Sequence, residues 1–104
     1  MIERVPTPEE SEIPTREKVV ASLLADKTDF SKLISYVDAK EKEVKDERGD
    51  LLLAVDIAEI YRDAGMKDLA MESFQEAIEL AEKEGDLELK DRLVDEAEKL
   101  VRYN

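Results

Sequence analysis

Residues 51–84 read LLLAVDIAEIYRDAGMKDLAMESFQEAIELAEKE, and this stretch decides the fold. On both sides of Gly65, apolar residues recur at every third or fourth position, which is the spacing of an amphipathic helix. Gly65 is predicted to end the first helix, because glycine readily adopts the left-handed backbone found at a helix C-terminus. The stretch therefore predicts two antiparallel helices joined by a short turn.

Two further glycines extend this pattern in both directions. Gly49 and Gly85 are each followed by Asp and then Leu, and the two Gly-Asp-Leu units lie 36 residues apart. Because Asp is a favoured helix N-cap, Asp50 and Asp86 are predicted to start new helices. The spacing of the two units suggests a repeat.

The whole chain is predicted to be all-α, with five helices. Thr15 is expected to cap the first helix, and Thr28 or Asp29 the second. Sequential helices should be antiparallel neighbours, because the connections between them are short. The predicted helices lie near residues 15–26, 29–48, 51–64, 67–84 and 87–102, with turns near 27–28, 49–50, 65–66 and 85–86.

Composition limits the class of protein. The chain has 104 residues, of which 42% are hydrophobic and 42% charged, so we expect one helical domain rather than a disordered chain. A net charge of −12 argues against binding nucleic acid or an anionic membrane, since both require a basic face. Abundant Glu and Lys beside single Asn and Gln residues are typical of thermophilic proteins. No secretory signal or long apolar run is present, so a cytoplasmic location is expected.

The first 13 residues differ from the rest of the chain. Pro6 and Pro8 disfavour regular structure, whereas the run Thr7-Pro-Glu-Glu10 is a capping box that favours one turn of helix at 8–12. An acidic tail and a single helical turn are both compatible with this segment. Residues 14–104 are predicted to form the single helical domain.

Residues 51–84 resemble the tetratricopeptide repeat, a unit of 34 residues that forms two antiparallel helices. Ala58 and Tyr61 fall where the family has a small residue and a tyrosine on its first helix. Ala70, Phe74 and Ala77 match the small, aromatic and small positions of the second helix. Small residues let the two helices approach closely, and the aromatic rings fill the space beside them.

The flanking segments resemble more degenerate units of the same family. Setting Tyr36 against Phe74 makes residues 13–48 a preceding repeat, with Lys32 in the place of a small residue. Residues 87–102 continue as a lone first helix, which in this family usually closes the stack as a cap. The family's Trp and late Pro are absent, so a five-helix bundle with different packing stays open. The predicted core consists of Ala58, Tyr61, Ala70, Phe74, Ala77, Leu93 and Val94.

Catalysis is not expected from this sequence. Without His or Cys, most nucleophile–base pairs and all soft metal sites are excluded. Carboxylate pairs such as Glu59/Asp63 and Asp91/Asp95 are four residues apart, which is typical of solvated helix faces. Neither a Gly-rich phosphate loop nor a calcium-loop pattern occurs. We therefore predict no enzyme activity, cofactor or metal.

The resemblance implies a binding surface instead. In this family, partner peptides lie along a groove formed by the first helices of successive repeats. The family's groove positions, carried onto this chain, predict six partner-binding residues: Leu52, Val55, Glu59, Asp63, Asp91 and Asp95. Leu52 and Val55 would form an apolar floor, and the four carboxylates would attract a segment carrying Lys or Arg. The alternative is that all four are ordinary solvated charges.

The predicted function is therefore a non-catalytic protein-protein interaction module of tetratricopeptide type. A groove built from so few repeats implies modest affinity, unless the module self-associates. The alternative is a structural subunit of a homo-oligomer or larger complex that binds no free peptide. The strongly negative surface slightly favours a monomer over a dimer, because like-charged faces repel each other.

Overall fold

A computed structural model describes residues 13–102, and within this range the chain forms helices and turns with no strand. The predicted all-α class is confirmed, since helices account for 82% of the described chain. The two possibilities raised for the N-terminal segment, an acidic tail or a helical turn at 8–12, lie outside the described residues. The helices are α1 (Arg16–Ala25), α2 (Ser31–Glu43), α3 (Glu47–Asp63), α4 (Lys67–Glu84) and α5 (Leu87–Arg102).

Helices α3, α4 and α5 pack around small side chains. Ala58 of α3 and Ala70, Ala77 and Ala81 of α4 are fully buried, so the two helices can approach closely. Phe74 is the largest fully buried side chain and fills the space that the alanines leave open. The predicted core around Phe74 is thus confirmed. The cluster is completed by Leu51, Leu89 and Leu93.

Two residues of the predicted core behave differently from the others. Tyr61 is only partly buried, and it packs against both apolar clusters of the molecule. Val94 is also only partly buried and belongs to neither cluster, so its predicted place in the core was wrong. Val94 follows the buried Leu93, and one step along an α-helix turns the side chain by about 100°. Leu93 therefore faces the core while Val94 turns toward the outer side of α5.

Helices α1 and α2 pack mainly on the C-terminal half of α3. They form a second apolar cluster, whose members are Val19, Leu23, Leu33, Tyr36, Ile60 and Ala64. The turn after α1 is tied to the same end of α3, because the Lys27 ammonium donates a hydrogen bond to the Ala64 carbonyl at 2.8 Å. Carbonyls at a helix C-terminus lack partners within the helix, and a cation there also interacts well with the helix dipole.

The predicted turn at 49–50 is wrong, because α3 begins before it and the Gly49-Asp50 pair lies in the first turn of that helix. Asp46 is the N-cap, and its carboxylate accepts a hydrogen bond from the Gly49 amide at 2.9 Å. A Cβ atom at Gly49 would lie only 3.2 Å from Cγ1 of Val44. Glycine at this position therefore allows Val44 to approach α3 closely and does not end a helix.

The second helix, predicted over 29–48, spans only Ser31–Glu43 and has Phe30 as its N-cap, so its predicted end near 48 and its predicted cap were wrong. The remaining helix boundaries agree with the sequence signals. Thr15 and Asp86 accept hydrogen bonds from backbone amides in the first turns of α1 and α5. The carboxylate of Asp29 accepts one from the first amide of α2. Gly65 and Gly85 have φ angles of 74° and 77°, the left-handed conformation that follows the ends of α3 and α4.

The folded chain is elongated. Its extents are 56 × 33 × 15 Å, and its radius of gyration of 15.6 Å exceeds the value of about 12–13 Å expected for a compact domain of this length. Helices adjacent in the chain pack on each other, and α1 also packs on α3. Such nearest-neighbour packing is typical of a helical stack rather than of a sphere.

Candidate protein-binding surface

Three open cavities of about 480, 470 and 320 Å³ follow the exposed side of α3. The first lies between α2 and α3, the second beside α1, and the third between α3 and α5. Val55 and Glu59 line both the first and the third cavity, and Asp63, further along α3, lines the second. The cavities adjoin each other along one helix, and together we call them the α3 groove.

The first cavity has an apolar floor. Leu52 is 51% exposed there, and it is surrounded by the partly buried Val44, Leu53 and Val55. Lys40, near the C-terminal end of α2, stands among the polar residues of its lining. Leu52 and Val55, both predicted from the sequence as partner-binding residues, thus lie side by side on one surface.

The second cavity takes its apolar lining from α1. Val20 and Ala21 lie about one turn before Leu24, which is 55% exposed. These residues were not predicted from the sequence as part of the groove. The predicted alignment of residues 13–48 with residues 51–84 could have identified them. That alignment sets Ala21 and Leu24 of α1 against Glu59 and Arg62 of α3.

The third cavity is closed on its far side by α5. Leu93 is buried at its base, and Arg92 and Asp95 line it together with Glu59 of α3. Two of the predicted carboxylates, Glu59 and Asp95, therefore meet at one cavity. Asp91 is exposed on α5 and is not part of that lining.

Arg16, in the first turn of α1, forms ion pairs with three carboxylates of α3. Its guanidinium lies 3.2 Å from Asp56, 3.0 Å from Glu59 and 3.5 Å from Asp63. The three carboxylates are three and four residues apart, so they share one side of α3. Arg16 was not predicted from the sequence, although three carboxylates on one helix face were a signal for a facing cation.

A second set of ion pairs links α3 to α5. Arg62 lies 3.0 Å from Asp63 and 2.8 Å from Glu96. Lys99 lies 3.3 Å from Asp95 and 3.5 Å from Glu96. Alternating charges therefore cross the molecule from α1 over α3 to α5.

These ion pairs reduce the negative potential that the sequence predicted for the groove. Glu59, Asp63 and Asp95 each have a basic partner within 4 Å. Asp91 forms no ion pair with any residue of 13–102, but it lies outside the third cavity. Of the six predicted residues, the two apolar ones therefore lie together at the floor of the groove. The four carboxylates either have a basic partner or lie outside the third cavity.

Tyr36 joins α2 to the same group of charges. Its hydroxyl donates a hydrogen bond to the carboxylate of Asp56, which also faces Arg16. The Lys40 ammonium lies 5.5 Å from the centre of the Tyr36 ring. Burial, together with the hydrogen bond to Asp56, raises the pKa of Tyr36 to about 12. The position of α2 at the rim of the groove therefore depends on a bond to α3.

Over residues 13–102, no charged side chain is buried, Tyr36 is the only buried side chain with a polar atom, and no group of three or more acidic residues is placed to hold a metal ion. None of the five helices combines the length and the apolar character needed to cross a membrane. Comparison of the chain with protein-family models, with curated proteins and with solved structures gave no match. The resemblance of residues 51–84 to the tetratricopeptide repeat therefore stays a prediction.

Proposed function

We propose that this protein is a non-catalytic protein-protein interaction module of tetratricopeptide type, which binds an extended segment of a partner along the α3 groove. The observation that carries the proposal is the apolar floor of the groove. Leu52 and Leu24 are each more than half exposed, and each lies in a cavity of about 470–480 Å³. Large aliphatic side chains in open concave sites are typical of surfaces that bury a partner's side chains.

The ligand is a segment with one or two apolar side chains, which are seated near Leu52 and Leu24. Burial of those side chains supplies most of the affinity, because the carboxylates of the groove already share Arg16, Arg62 and Lys99. A segment that also carries Lys or Arg is favoured over an acidic one by the net charge of −12. Salt should slow its association more than it weakens the final complex.

The experiment is a selection of extended peptides on the immobilised chain, followed by affinity measurement with variants. Leu52→Ser and Leu24→Ser remove the apolar floor at two places. Ile34→Ser is the matched control, since Ile34 is 58% exposed on α2 and lines none of the three cavities. Each groove variant should weaken binding about tenfold, the effect of leaving one aliphatic side chain without its contact.

The control must bind as tightly as the parent chain. The proposal fails if no peptide is selected above background. It also fails if Ile34→Ser weakens binding as much as Leu52→Ser does, because the peptide would then be recognising exposed leucine and isoleucine anywhere on the surface. Thermal unfolding of the three variants should stay close to that of the parent, since all three side chains are exposed.

A further inference from the structure

Helix α5 carries a second apolar surface outside the α3 groove. Leu87 and Val101 are 62% and 59% exposed, and Val94 between them is partly buried. The three residues are seven positions apart, so two turns of helix bring each of them back to the same side. We call this set the α5 stripe. None of its members lines any of the three cavities of the groove.

The borders of the α5 stripe differ in charge. On the side toward α4, Lys90 is held by Glu82 at 2.5 Å. Along the opposite border, Asp91 lies four residues after Leu87, and Glu98 lies four residues after Val94. Each carboxylate is therefore about one helical turn from a residue of the stripe. Both carboxylates are exposed, and neither forms an ion pair with another residue of 13–102. The stripe is therefore an apolar row bordered by two carboxylates that form no ion pair among these residues, with the exposed Arg102 at the C-terminal end of the same border.

We propose that the α5 stripe is the docking surface for an amphipathic helix of a partner protein, in which Lys or Arg residues flank the apolar side. A helix laid along α5 would cover Leu87, Val94 and Val101 and set its basic residues against Asp91 and Glu98. A second copy of this chain is the wrong occupant. Two antiparallel α5 helices would bring Asp91 of each copy toward Glu98 of the other, and parallel ones would align identical carboxylates.

The test uses two synthetic helical peptides with identical leucine positions, one flanked by Lys and the other by Glu. Binding of each peptide to the full chain is measured by isothermal titration calorimetry. The Lys peptide should bind and the Glu peptide should not. The double variant Leu87→Ser/Val101→Ser should weaken the Lys peptide about tenfold or more, because two aliphatic contacts are removed. Asp91→Lys/Glu98→Lys should abolish that binding and create binding of the Glu peptide.

Two controls separate docking on the stripe from general attraction to an acidic protein. Glu76→Lys/Glu79→Lys makes the same change of charge at exposed positions of α4, and it should leave the Lys peptide bound as tightly as before. Leu52→Ser alters the α3 groove, and it should also have no effect here. The two proposals can therefore fail separately. If no peptide binds the α3 groove, the result expected at the α5 stripe does not change, and a failure at the stripe does not change the result expected at the groove.

Several results would overturn the proposal. One is equal binding of both peptides, and another is equal loss with the α4 charge variant. A third is loss with Leu52→Ser but not with Leu87→Ser/Val101→Ser. Sedimentation that shows a dimer of the parent chain, abolished by Leu87→Ser/Val101→Ser, would assign the stripe to self-association instead.

Discussion

Helices α4 and α2 are set against each other in the predicted repeat alignment, and both pack on α3, yet they are attached in different ways. Four residues of α4 are fully buried, namely Ala70, Phe74, Ala77 and Ala81. On α2 only Leu33 and Tyr36 are buried, and the exposed Lys32 stands where α4 has Ala70. Small residues let α4 lie close against α3, whereas α2 stands further off and reaches α3 through the Tyr36 hydroxyl.

The difference shows how helices packed on the same α3 can form a tight core at one place and a groove at another. Where alanines line α4, the helix pair closes into a packed core. Where α2 has larger side chains, it leaves space beside α3, and the first cavity with Leu52 and Val55 lies in that space. The less tightly packed part of the molecule, where α2 meets α3, is thus the part that contains the apolar floor of the groove.

The largest effect on stability is expected at Phe74, in the tightly packed core that α4 forms with α3. Phe74→Ala should lower the free energy of unfolding by about 3–5 kcal/mol, because it leaves a cavity among residues that are already close-packed. Urea unfolding monitored by circular dichroism measures this change. A loss well below about 1 kcal/mol would mean that α4 can collapse onto α3 without the ring, and the contrast with α2 would disappear.

Enlarging an alanine tests the contrast directly. Ala77→Leu should destabilise the protein by about 1–3 kcal/mol, since Ala77 is fully buried between α3 and α4. Ala39 occupies the equivalent position on α2 but is only partly buried. Ala39→Leu should therefore change stability by less than about 0.5 kcal/mol. If both changes cost the same in urea unfolding, α2 is packed as tightly as α4.

The bond that holds α2 gives the next largest effect. Tyr36→Phe keeps the ring but removes the hydroxyl that donates to Asp56, so it should cost about 1–2 kcal/mol at neutral pH. The loss should be smaller if Asp56→Asn is already present, because the bond then has no charged acceptor. Equal losses in both backgrounds would show that Tyr36 stabilises α2 by its ring alone.

The same residue predicts a dependence on alkaline pH. Folding raises the pKa of Tyr36 from its ordinary value of 10.0 to about 12, so the fold favours the neutral phenol. The stability that this contributes is complete below pH 10 and is lost as pH rises through about 12. The difference in unfolding free energy between the parent and Tyr36→Phe should therefore shrink over this range. Taking the difference isolates Tyr36, because every other ionisable group is the same in the two proteins.

The smallest effects are expected at the start of α3. Asp46→Ala removes the N-cap bond to Gly49 and should cost about 1 kcal/mol. Asp50→Ala should change stability by less than about 0.5 kcal/mol, because Asp50 is exposed within the first turn. If Asp50→Ala instead costs more stability than Asp46→Ala in thermal or urea unfolding, the helix begins at Asp50, as the turn predicted at 49–50 requires.

Most of the fold followed from local signals in the sequence. The helical spacing predicted all five helices, and Gly65, Gly85 and Asp86 marked real boundaries. The turn predicted at Gly49 was wrong because the sequence does not distinguish a glycine that permits a close approach from one that ends a helix. Only the packing of Val44 against α3 distinguishes the two, and that contact depends on how the connection after α2 folds back onto the first turn of α3.

The candidate site was less predictable than the fold. Leu52 and Val55 could be proposed because the resemblance of residues 51–84 assigns them to a groove, and in the structure both line one cavity. Arg16 was missed because its three partners are 40 to 47 residues away, and no local pattern connects them. The negative potential was overestimated for the same reason. Charge on one helix face can be counted from sequence, whereas its neutralisation by another helix depends on tertiary structure.

The most direct test of the account is to map where a selected peptide touches the protein. Nuclear magnetic resonance of the labelled chain, recorded with and without the peptide, reports chemical-shift changes at each amide and methyl group. The account predicts that the largest changes cluster at Leu24, Leu52 and Val55, with little change at the exposed Glu76 and Glu79 of α4. Changes centred on α4, or spread evenly over the surface, would contradict the claim that the α3 groove binds a partner.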